Sequence, residues 1–95
     1  MDSSREVARR GMLKLMLRLP SLRRELQVLW QTDAGLEALC EAYQDATTTF
    51  DRLHRKQEDR QDPLLEEYRN VCLELEGDVR SRCLARSGHP NKEPG

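Results

Sequence analysis

The sequence predicts an all-α protein: an antiparallel helical hairpin over about residues 34–60 and 63–84, preceded by a kinked N-terminal helical segment. Three observations carry this. Apolar residues recur at spacings of three and four between Leu36 and Leu53, and again between Leu65 and Val79, which a helix gathers onto one face. The polar run 56–61 followed by Asp62-Pro63 marks a helix start between the two stripes, because Asp caps exposed amides and Pro fits the first turn. Hydrophobic content of 37%, charged content of 35% and a mean hydropathy of -0.83 suit a thin helical bundle with long polar faces.

Ninety-five residues allow one domain, read here as a basic amphipathic segment over 1–32, the hairpin over 33–84 and a disordered tail over 85–95. In the first segment Ala8, Met12, Leu15, Met16 and Leu19 share a helix side, which Leu13 and Leu17 broaden. Arg10, Lys14 and Arg18 line another side at i, i+4 spacing, a basic face, and Gly11 weakens the helix. Pro20 breaks or kinks it. Ser21 can cap the next helix, in which Leu22, Leu26, Leu29 and Trp30 form a stripe. The heptad passes through Asp33 to Leu36, so one rod from Leu22 to about Arg60 is conceivable, but the weak helix formers of 32–35 predict a bend.

In the first hairpin arm Leu36, Leu39, Tyr43, Ala46, Phe50 and Leu53 form the stripe, while Glu37, Glu41, Asp45, Asp51, Arg52 and Arg55 form a solvated face. The β-branched run Thr47-Thr48-Thr49 costs a little helix propensity. In the second arm Leu65, Tyr68, Cys72, Leu75 and Val79 repeat the spacing, with Leu64, Val71 and Leu84 widening it. Gly77 either permits close packing or lies on the wet side. A turn near Gln61 sets Tyr43 opposite Val79, Phe50 opposite Cys72, His54 opposite Tyr68 and Cys40 opposite Cys83. Such a hairpin has one packed face and bare shoulders. The N-terminal segment, a second copy or another protein must cover it.

Charge is unevenly placed. Residues 1–25 hold seven Arg or Lys against three acids, on a chain of net charge -1, so a basic head precedes an acidic body. Three cysteines without CxxC or a secretory signal point to a reducing, cytoplasmic setting and to buried thiols, with a Cys40–Cys83 disulfide as the alternative. No run approaches the length of a membrane span.

Chemistry is sparse. A di-metal bundle needs repeated Glu-x-x-His motifs, and only Asp51-x-x-His54 comes near. Zinc needs paired ligands at short spacing, and Cys40, Cys72, Cys83 and His54 are scattered. A Cys72–His54 nucleophile would lie in a thin bundle with no pocket. The acidic body, few aromatics and lack of a helix-turn-helix argue against nucleic acid. No catalytic, cofactor or metal site is predicted.

The strings Leu39-Cys40-Glu41-x-Tyr43, Glu67-Tyr68-Arg69 and Leu73-Glu74-Leu75-Glu76 resemble small, functionally uncharacterised bacterial helical-hairpin proteins over about half the chain. The resemblance implies no activity.

The sequence therefore predicts a non-enzymatic protein-interaction or oligomerisation module. Tyr43, Phe50, Leu53, Tyr68, Leu75 and Val79 hold the hairpin, and Leu15, Leu19, Leu22, Leu26 and Trp30 cover it or engage a partner. The expected partner is a second copy, giving a coiled-coil-like or four-helix dimer, or another helical protein. The alternatives are a peripheral membrane adaptor docking through Arg10, Lys14 and Arg18, and a small redox- or metal-responsive protein.

Overall fold

The computed structural model describes residues 4–56 and 63–87, and these hold four α-helices and no strand. They are α1 (Ser4–Arg18), α2 (Arg23–Thr32), α3 (Ala34–Lys56) and α4 (Pro63–Ser87), with one 3-10 turn at Pro20–Leu22. The predicted turn at 56–61 and the tail from residue 88 onward lie outside the described residues, apart from Lys56, which closes α3. The start of the predicted tail is corrected: residues 85–87 continue α4, because nothing in Ala85-Arg86-Ser87 opposes helix and Gly88 and Pro90 come later.

Breaks fall where local chemistry demands them. Pro20 cannot continue α1, and the Arg23 guanidinium then donates to the freed Met16 carbonyl at 3.2 Å. At Asp33 the backbone is extended, with φ -112° and ψ 101°. Its Oδ1 accepts from the amides of Gly35 at 2.9 Å and Leu36 at 3.2 Å, capping α3. The heptad that runs through Asp33 in sequence is thus interrupted in space, since a carboxylate there satisfies more amides as a cap than as a seam residue. Within the helix the Thr47 hydroxyl turns back and donates to the Tyr43 carbonyl at 2.9 Å.

The centre of the molecule is the contact of α1 with α3, not of α3 with α4. Arg5 meets Glu37, Gly11 meets Cys40 and Lys14 meets Thr47, so the two helices advance in the same sense. Joining parallel helices needs a crossover, and α2 supplies it. Its Trp30 ring returns to Arg5, whose guanidinium carbon stands 4.6 Å from the ring centroid. Gly11 lies at the closest approach: a Cβ there would sit 1.9 Å from the Cys40 carbonyl oxygen. Sequence reading takes Gly11 as a weakness of α1. In three dimensions it is what lets backbone touch backbone. Gly77 is the opposite case, with open space around it.

The core is built from Ala8, Met12, Leu15 and Leu19 of the first segment, Leu26 and Leu29 of α2, Leu36, Cys40, Tyr43 and Ala46 of α3, and Val79 and Cys83 of α4. Fully buried positions stop at Ala46 on α3 and do not begin until Val79 on α4. The hairpin seam expected from sequence is corrected accordingly. Tyr43 and Val79 are buried, whereas Phe50, Leu53, Tyr68 and Leu75 are only half-buried. Leu64, Val71 and Leu84, expected to widen the stripe, are exposed. The reason is length. At about 1.5 Å per residue α1 spans roughly 22 Å and α3 roughly 34 Å, so α1 ends level with Thr47.

Candidate functional site

Beyond Arg18 a groove continues between α3 and α4, with a volume of about 480 Å³. Thr47, Phe50, Asp51 and His54 line it from α3, and Arg69, Cys72, Leu73 and Glu76 from α4, with Arg18 and Tyr43 at its inner end. Periodicity explains the lining. Positions 47, 50, 51 and 54 continue the side of α3 that α1 occupies higher up, and 69, 72, 73 and 76 share one face of α4.

A polar knot closes the inner end. The Tyr43 hydroxyl donates to Glu76 Oε2 at 2.6 Å, and Arg18 Nε donates to the same oxygen at 3.2 Å. Burial, then the hydrogen bond to Glu76, pushes the Tyr43 phenol above its usual range. The hydrogen bond to Glu76 likewise raises the Arg18 guanidinium. The knot ties the end of α1 to α4 and to Tyr43 of α3.

The floor is apolar. Phe50 stacks obliquely on His54, ring centroids 5.9 Å apart, and Leu73 is 50% exposed. The groove also corrects the expectation of no pocket around Cys72 and His54, since both line it. No hydrogen bond joins them, and burial, with the carboxylates of Glu76 and Asp51, pushes the Cys72 thiol up. A protonated thiol without a base in contact is a poor nucleophile. Asp51 and Arg69, on opposite walls, form no ion pair among the described residues.

The residues singled out from sequence sit mostly elsewhere. Leu15, Leu19 and Leu26 are buried, and Leu22 and Trp30 pack against the core half-covered. They cover the body of the molecule, while Leu13 and Leu17 of α1, expected to broaden that side, stay exposed. The basic face is divided: Arg10 is exposed, Lys14 donates to the Thr47 hydroxyl at 2.7 Å, and Arg18 is held by Glu76. Cys40 and Cys83 are fully buried and no disulfide joins them. Burial, then Cys83, then Glu37 pushes Cys40 up to about 12. Among the described residues no three His, Cys, Asp or Glu side chains gather as a metal site, and no helix is long and apolar enough to cross a membrane.

Sequence reasoning missed Asp51, Arg69 and Leu73 as groove residues, assigning Asp51 to a solvated face. The available signal was the heptad stripe outrunning the helix that covers it. No protein-family model, curated protein or solved structure matches the chain.

Proposed function

We propose that the chain is a non-enzymatic protein-interaction module whose working surface is the outer part of α3 and α4, residues 47–56 and 63–75, acting as an antiparallel hairpin arm. One observation carries this reading. The arm holds Phe50, Leu53, Leu64, Leu65, Tyr68, Val71, Leu73 and Leu75, yet none of them is fully buried. An apolar stripe maintained over two helices, with nothing among the described residues to fill its groove, is a surface awaiting a helix. Assembly of such arms as a four-helix core is the form this module takes.

The anionic-lipid reading has less to stand on. It needs Arg10, Lys14 and Arg18 facing outward together, and two of the three are engaged within the molecule. Co-sedimentation with anionic vesicles that weakens with salt and with loss of Arg10 would favour it over the interaction module.

The test is site-specific photo-crosslinking in cells that naturally make the chain, with the probe at Leu73 and, as a control on the same helix, at Asp78. The arm reading expects discrete crosslinked species from Leu73 and none from Asp78. Absence of any from Leu73, or equal labelling from both, defeats it.

A further inference from the structure

We infer that the arm's groove is filled by the arm of a second copy of this chain, the two related by a two-fold axis at the level of Cys72. This rests on the interaction reading and names its partner. The charges of the groove point to it. Asp51 stands on the α3 wall and Arg69 on the α4 wall, and neither forms an ion pair among the described residues. Arg18 and Glu76 neutralise each other at the inner end. The groove therefore has no net sign with which to select an acidic or basic ligand. It has one unspent charge of each sign on opposite walls, which a two-fold contact pairs twice over.

Antiparallel overlap of two arms seats each α4 in the other's groove. The partner's Arg69 then meets Asp51 and, by symmetry, Asp51 of the partner subunit meets Arg69. Phe50 and Leu73 close together around the axis. The tip of each arm comes up against the end of the other chain's α1, taking over the line that α1 leaves at Arg18. Residues 88–95 cannot serve instead, because their only non-polar side chains are two prolines.

The overlap is short, about 15 Å for residues 47–56, so the contact falls below the roughly 800 Å² per partner of a stable complex. A weak, reversible dimer is expected.

Sedimentation equilibrium of the full chain from 1 µM to 1 mM tests this. The expected mass rises from 11.1 kDa toward twice that value. Asp51→Arg and Arg69→Asp each weaken association roughly tenfold or more, since each sets like charges together twice. Mixed one to one, the two variants associate more tightly than either alone, because every Arg again faces an Asp. Both positions are exposed, and matching thermal melts establish that each variant is folded. A wild type still monomeric at 1 mM, a dimer indifferent to both reversals, or a mixture no tighter than its components overturns the proposal. If the wild type stays monomeric while the probe at Leu73 still crosslinks to a different protein, the second copy is wrong and the interaction module stands. If Leu73 crosslinks to nothing, both fall.

Discussion

The body and the arm of this molecule are made from the same helices by the same spacing rule, yet they are physically different objects. In the body, α3 between Leu36 and Ala46 is pressed by α1 on one side and meets Val79 and Cys83 of α4 on another, and Leu36, Cys40, Tyr43 and Ala46 lose nearly all contact with water. In the arm, Phe50 and Leu53 continue that stripe beyond the end of α1, with α4 as their neighbour among the described residues, and stay half-exposed. Burial depends on how many neighbours an apolar side chain finds, and a two-helix layer supplies too few. Stability should therefore reside in the body and interaction in the arm.

The largest effect that would sharpen this contrast is at the α1–α3 crossing. Gly11→Ala drives a methyl into the Cys40 carbonyl, which is backbone and cannot step aside. We expect a loss of at least about 3 kcal/mol, or failure to fold, by chemical denaturation. A near-normal midpoint would mean that α1 is not seated as described.

Next comes a matched pair of truncations. Leu15→Ala in the body should cost roughly 3 kcal/mol, because a fully buried side chain leaves a cavity. Phe50→Ala, in a dilute sample, should cost about 1 kcal/mol or less despite removing more atoms, because water already reaches the ring. Equal losses would dissolve the distinction between body and arm.

Alkaline pH should act mainly on the body. The Cys40 thiol moves from an ordinary 9.0 up to about 12 in the fold, so the folded chain holds that proton more tightly than the unfolded chain does. Its contribution is complete below pH 9.0 and is lost as pH rises from there toward about 12. Cys83, through burial and Glu25, and Tyr43 shift in the same direction. Unfolding free energies from urea titrations should fall above pH 9, by roughly 2–3 kcal/mol at pH 11 from Cys40, and Cys40→Ala should flatten that slope. An unchanged slope would argue that Cys40 is not sealed from water.

The smallest effect has the opposite sign. Gly77→Ala meets open space on a helix, so it should stabilise by about 1 kcal/mol or slightly less. Together with Gly11→Ala it asks whether one residue type plays two roles set only by its surroundings.

Much of the helical layout was legible. Pro20, Asp33 and Pro63 act through one or two residues on their own backbone, and the breaks at Pro20 and Asp33 and the start of α4 at Pro63 stand where those residues stand. The basic head against an acidic body was legible too, and Arg5–Glu37 at 3.1 Å and Arg18–Glu76 at 3.2 Å connect the two, although exposed pairs of this kind contribute under about 1 kcal/mol each. The candidate site was barely legible. Asp51 and Arg69 look like any solvated charges until a groove is seen between them, and Cys72 and His54 looked isolated because the space beside them was unknown.

What the sequence by itself determined is the set of helices, their breaks and their apolar stripes, because helix propensity, caps and periodicity are properties of neighbours along the chain. Only the tertiary structure decided that α1 and α3 form the centre, that Gly11 is their point of contact, and that the stripe outlasts its cover beyond Thr47. Those outcomes depend on which of several greasy faces meet and how far each rod reaches, and stripes alike in pattern carry no label that says which will pair.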